Sequence, residues 1–406
     1  MAKRVLNPST LALADDLEQA VHRHIVNTWF PRAVDPAGGF YEGFAFDWSR
    51  LPGSRRSTVY QSRMIWLAAA LARAQISSEI DFGEVSMEGV RFMAGKLIDP
   101  ESGAVEWGVD GSDHFGPPHH LYAASFAIFA LSAVRSATGC PKALEFAKRI
   151  FWRTDDYLRD HQYGGYFSVA QNMVEERNRH RKDVIGCPNH YKSQNSLLHL
   201  MEAYTELVRI WPGSEVKKRL GELISIFKTR LLAPEGRLYE MTEANWTPAS
   251  NVLTFGHDIE ASHLLIEPEQ NLNGSVGEDT WQVAQKLLDH TLDHGWDENE
   301  HAFWTSSADR SKKVWWVQAE GLLGLINGLR IPGGRHDLYE RRLHELWGTI
   351  RDRFFDPVHG GLYDALRPGE HAPKTNKAYA WKAGYHDGRA FLYGSRLLRS
   401  LSDLDS

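Results

Sequence analysis

At 406 residues and 42% hydrophobic content, the chain can bury a large core, and by length alone it would divide into two or three ordinary domains. A formal net charge of -6 with no Lys/Arg-rich run excludes the electrostatic footprint of a nucleic-acid or anionic-membrane binder. The first 16 residues lack the apolar run of a signal peptide and no later stretch reads as a bilayer span, so a cytoplasmic location is expected.

In chain order, a short turn motif recurs six times: an acidic or proline turn, then glycine, then alternating aromatic and apolar residues. Asp35-Pro36 before Gly38-Gly39-Phe40-Tyr41 is the first copy, followed by a helical period over residues 59–74. Asp99-Pro100 before Gly103 is the second, with a helix expected over 122–137. The third, Asp160 before Gly164-Gly165-Tyr166-Phe167, precedes helices over 196–210 and 215–231. The fourth, Pro234 before Gly236 and Tyr239, is degenerate and leads to a helix over 281–292. The fifth, Asp297 before Ala302-Phe303-Trp304, is degenerate too, with helices over 320–329 and 338–354. Asp356-Pro357 before Gly360-Gly361-Leu362-Tyr363 completes the set.

Copies lie about 60 to 75 residues apart, room for two helices each. A helical hairpin cannot bury its apolar face alone, whereas six closed into a ring share one core. The expected fold is therefore all-α: a single (α/α)6 barrel over residues 1–406, with short β-hairpins at one end. An open α-solenoid of the same units is the alternative.

In such a barrel the first turns of the helix after each hairpin gather at one end. Arg63, Tyr122, Asn195, His199, His257, Glu260, Trp316, Glu320, Trp381, His386 and Arg389 all fall there. Residues three or four apart share a helix face, so Asn195 with His199, His257 with Glu260, Trp316 with Glu320 and His386 with Arg389 can point inward together. Singly, each has a plainer reading as a bonded structural histidine, a packing tryptophan or a surface charge. Convergence from several units raises them above it. His190 and His263 lack that convergence and read as structural.

A metal centre competes for a histidine cluster, but there is no HExxH and no Cys/His ligand spacing, and Cys140 and Cys187 read as reduced structural thiols. No metal or other cofactor is expected. The carboxylates admit a glycoside hydrolase, although no pair stands out. A non-catalytic sugar-binding protein is a third reading, from the 14 tryptophans.

The segments Gln61-Ser62-Arg63-Met64-Ile65-Trp66, His120-Leu121-Tyr122, Asn195-Ser196-Leu197-Leu198-His199, Gly256-His257-Asp258-Ile259-Glu260, Trp315-Trp316-Val317-Gln318-Ala319-Glu320 and Tyr385-His386-Asp387-Gly388-Arg389 resemble the N-acylglucosamine 2-epimerase superfamily, most closely its cellobiose 2-epimerase and mannose 2-epimerase branch. The resemblance implies a cofactor-free sugar 2-epimerase interconverting gluco- and manno-configured reducing sugars. His257 and His386 would be the general acid/base pair at carbon 2, and His199 would assist ring opening. Arg63 would stabilise the enediolate, Glu260 would orient an imidazole, and Tyr122, Asn195, Trp316, Glu320, Trp381 and Arg389 would bind substrate. An aldose-ketose isomerase, mannose to fructose, uses the same residues. His263 and Ala383-Gly384 depart from the cellobiose pattern of Trp and Cys-Pro, which puts a free monosaccharide beside the β-1,4-linked disaccharide as substrate. The partner is a small reducing sugar, with no nucleic acid or membrane, and the chain is a monomer or homodimer.

Overall fold

Several helices in this computed structural model, which describes residues 7–53, 55–175 and 178–403, start where the chain supplies a capping acceptor. Asn7 caps α1 (Pro8–Ala20), which runs through a π-helical turn into α2 (Asn27–Ala33). Ser57 caps α3 (Thr58–Arg73), Asp81 caps α4 (Phe82–Lys96) and the His120 imidazole caps α5 (Leu121–Thr138). Each accepts a first-turn backbone N–H that the helix cannot satisfy itself. α6 (Pro141–Leu158) begins with proline, and Ser193 caps α7 (Gln194–Ile210). There follow α8 (Ser214–Ile226), α9 (Phe255–Leu264), α10 (Ile266–Asn273), α11 (Glu278–Gly295), α12 (Trp315–Gly328), α13 (His336–Thr349) and α14 (Tyr385–Asp403).

Burial sorts these into two rings. α3 buries 14 of its 16 residues, whereas α6 buries a stripe at Ala143, Ala147, Ile150, Phe151, Thr154 and Leu158, the pattern of a helix with one face to solvent. The inner helices α3, α5, α7, α9, α12 and α14 touch in succession, and α14 returns to α3. The ring is closed, an (α/α)6 barrel rather than an open solenoid. α5 is long and apolar enough to cross a membrane by length and composition, contrary to the sequence reading, and here it is an almost wholly buried inner helix.

All six turn motifs close as antiparallel bridges: Val34 with Phe40, Ile98 with Val105, Arg159 with Tyr166, Leu232 with Leu238, Trp296 with Phe303 and Phe355 with Leu362. Each lies between an outer helix and the next inner one. Cations tie several of them down, half-buried Arg56 on Asp35 and three buried lysines: Asp160 accepts from Lys192 Nζ at 2.7 Å, Asp297 pairs with Lys313, and Asp356 accepts from Lys377 Nζ at 2.7 Å. Gln61 and Gln318 add a second tie, each exchanging two hydrogen bonds with the backbone of Phe40 or Phe303. A removed partner would strand a buried charge or amide, so these contacts fix where each inner helix begins.

Candidate active site

Because the inner helices all start at the hairpin end, their early positions form layers. Tyr122, Asn195, Trp316 and His386 are second residues of their helices, and His257 is a third. These line a cavity of about 450 Å³ together with Arg63, His199, Glu260 and Trp381, a size typical of small-ligand sites. The loop between α6 and α7 adds Val184 and Ile185, and Tyr379 lies beside Trp381. Sequence periodicity had no means of bringing these loop residues in. Trp381 is 37% exposed at the mouth.

Glu320 and Arg389, expected to touch substrate, do not line the cavity; they lie one turn beyond Trp316 and His386, and although Arg63, His199 and Glu260 reach the cavity from the same sixth position that Glu320 holds, the Glu320 oxygens are taken by His263, His386 and Arg389. Arg389 is the cation of a buried carboxylate cluster. It donates to Glu260 Oε1 at 2.8 Å, Glu320 Oε1 at 2.6 Å and Glu202, and lies 2.5 Å from the Tyr385 hydroxyl. Tyr385 in turn donates to both Glu202 oxygens. Glu260, Glu320 and His386 have donor atoms within 4.8 Å of one another, as a metal would require. Their carboxylate oxygens already accept from the guanidinium, which supplies the positive charge there.

Glu320, not Glu260, orients the catalytic candidate on α14. His386 Nδ1 is 2.6 Å from Glu320 Oε1 and 4.0 Å from Glu260. Burial raises Glu320, but Arg389 and the two imidazole N–H groups outweigh it and hold the carboxylate well below the ordinary range. An ionised Glu320 only accepts, so His386 Nδ1 carries hydrogen and Nε2 keeps a lone pair. Burial, opposed by Glu320, pushes the His386 pKa down to about 3. The second Glu320 oxygen takes His263 Nε2 at 2.7 Å. His263 thus belongs to the cluster, and its place three residues beyond Glu260 and six beyond His257 was the available signal.

His257 is set differently. Its Nδ1 is buried without a hydrogen-bond partner, and burial brings its pKa down to about 4, with a smaller push from His199. Trp316 contacts both histidines, its ring 5.3 Å from that of His257 and 5.4 Å from that of His386. Opposite, Arg63 donates to the Trp381 carbonyl at 2.7 Å and to Tyr122 Oη at 3.1 Å, and its guanidinium lies over Phe126. His199 Nδ1 is 3.0 Å from Glu202 Oε2, so Glu202 and Glu320 play the same part for two different imidazoles. Burial, and then the Glu320 charge, raise Glu260 to about 8 against the pull of Arg389, which leaves it protonated near neutral pH.

Gly256 makes this packing possible, since a Cβ there would lie 2.4 Å from Trp316 Cη2 and 2.9 Å from Val317 Cγ2. Gly256→Ala is therefore expected to displace Trp316 and lower kcat/KM by about 10²-fold, the scale of a 1 Å misplacement; steady-state kinetics on a sugar substrate checks it.

Comparison with known proteins gives the family. A cellobiose 2-epimerase from Bacteroides fragilis is 28% identical over 389 residues, covering 93% of this chain and 97% of that protein. A D-mannose isomerase from Marinomonas mediterranea is 22% identical, with 92% and 95% covered. The solved cellobiose 2-epimerase of Spirochaeta thermophila superposes with a TM-score of 0.84 at 26% identity, covering 97% and 98% of the two chains. The profile of the N-acylglucosamine 2-epimerase (GlcNAc 2-epimerase) family matches residues 38–390. The chain belongs to that family and is a carbohydrate isomerase of the 2-epimerase type.

Proposed function

We propose that the protein interconverts gluco- and manno-configured reducing sugars by moving the proton on carbon 2. The observation that carries the reading is the pair His257 and His386, both in contact with Trp316 and lining one cavity with Arg63. The hydrogen next to an aldehyde is acidic enough for a neutral imidazole to remove if the negative charge left behind is met by a cation.

The steps balance with these groups and proton exchange with solvent. His199, held by Glu202, assists opening of the ring. His386 Nε2 takes the carbon-2 proton, the bonding pair moves toward the aldehyde oxygen, and Arg63 faces the resulting enediolate. The imidazolium formed on His386 is neutralised by Glu320. His257, neutral at rest and without a carboxylate of its own, takes up a solvent proton beside the enediolate's negative charge and returns it to the other face, and His386 then gives its added proton to solvent. In the reverse direction the two exchange roles. Delivery of the proton to carbon 1 instead gives a ketose, the reaction class in the name of the D-mannose isomerase relative.

Incubation with mannose, glucose and cellobiose in heavy water tests the reading. Deuterium at carbon 2 of an epimer is the expected result. A ketose labelled at carbon 1 would assign the isomerase reaction instead, and no exchange into any reducing sugar would refute both. Arg63→Ala is expected to cost about 2.7 to 4 kcal/mol of transition-state stabilisation, the range for removing an oxyanion donor, measured from kcat/KM.

A further inference from the structure

The barrel has a second mouth. At the end where the inner helices finish, a cavity of about 520 Å³ is walled by Trp66, Phe129 and Leu323 and ringed by arginines. Its floor is the underside of the buried cluster, for Glu202, His263 and Arg389 line it as well. Arg389 and Glu202 are bonded to each other. Apart from them, four guanidiniums, Arg73, Arg209, Arg330 and Arg396, face two carboxylates, Glu206 and Glu267.

Arginine at helix C-termini often serves only to cap carbonyls. Arg396 does so, donating to the Ala74 carbonyl at 2.6 Å. Arg73 and Arg209 share Glu206, and Arg209 also reaches Glu267. Arg330 fits neither role. It bonds Asn327 Oδ1 at 2.8 Å and stacks over Trp281, and among the described residues it forms no salt bridge, Glu267 acting on it only at longer range. Beside it, the Asn271 side-chain nitrogen is buried with no hydrogen-bond partner. A half-buried guanidinium short of a counter-charge and an orphaned amide donor call for acceptors, and apolar walls call for carbon.

We infer that this second mouth binds a small organic oxyanion, a carboxylate- or phosphate-bearing metabolite, held by Arg330 and Asn271. Because its floor is formed by Glu202, which orients His199, and by Arg389 and His263, which bond the Glu320 that orients His386, the occupant is an effector of the enzyme and not a second substrate. Occupancy there and sugar binding bias the same buried cluster from opposite sides. The binding inference stands apart from the proposed reaction, since it is read without turnover.

Isothermal titration of the full-length protein with citrate, a hexose phosphate and inorganic phosphate tests it. Saturable binding of citrate or the hexose phosphate is expected, tighter than that of inorganic phosphate and persisting when the sugar site is saturated. Arg330→Gln and, independently, Asn271→Leu are each expected to weaken it at least about tenfold, one lost charged or well-aligned bond, with thermal melts showing that both variants fold. Added anion is expected to change kcat/KM of the wild type and not of Arg330→Gln. Absence of binding, binding unaltered in both variants, competition with the sugar, or binding without any change in kcat/KM would each overturn the assignment.

Discussion

His386→Ala is expected to lower kcat by about 10² to 10⁴, the range for a positioned general acid or base, with KM little changed. The fold should survive, because Glu320 Oε1 keeps its bond to Arg389 when the imidazole is gone. His257→Ala is expected to cost as much, and isotope exchange separates the two. With one base on each face, the His386 variant should lose wash-out of the carbon-2 label from one epimer and the His257 variant from the other. Loss of exchange from both epimers in the same variant, with the other unaffected, would reduce the mechanism to one base. Burial holds His386 and His257 near 3 and 4, below the ordinary 6.5. A base in that state keeps its lone pair well into acid, so the acid limb of kcat/KM is expected below pH 6.5.

Arg389→Met carries the largest expected effect on stability, about 3 to 5 kcal/mol, because it leaves buried carboxylates without their cation. Chemical denaturation measures it. In the variant, burial raises Glu202, Glu260 and Glu320 above the ordinary 4.5. The native state then binds more protons than the unfolded chain above that pH, and its stability falls as pH rises. The deficit against wild type is expected to widen toward neutrality and to shrink into acid, below 4.5, where the wild type itself loses the stability held by its depressed carboxylates Glu202 and Glu320. The wild type contains a milder form of the same effect. Glu260, raised to about 8, contributes stability that is complete below 4.5 and lost as pH climbs through 8. Glu260→Gln is expected to flatten that decline, and a denaturation series from pH 5 to 9 shows whether it does.

Residue order determined the repeat. Turn chemistry is local: aspartate, proline and glycine make the same tight turn wherever they stand, so all six hairpins, including the two degenerate copies, were visible before any packing was known. The six early-helix positions followed from it, and His257, His386, His199 and Arg63 do share one cavity. Helix starts were less legible: the period over 320–329 missed Trp315 to Ala319, because an inner helix is apolar on every side and shows no stripe.

Depth along the barrel axis was decided by tertiary structure alone. Helical spacing tells which residues share a face, and the pairs Trp316 with Glu320 and His386 with Arg389 do so, yet one turn separates the member at the cavity from the member beneath it. Which carboxylate meets which imidazole depends on six helices meeting at one level, and that put Glu320 rather than Glu260 on His386 and drew in His263, Glu202 and Tyr385. The amino-acid order thus specified the units and the chemistry available at their tips, while ring closure set the height of each group, because Coulomb and hydrogen-bond energies depend on through-space distance that no spacing along a chain encodes.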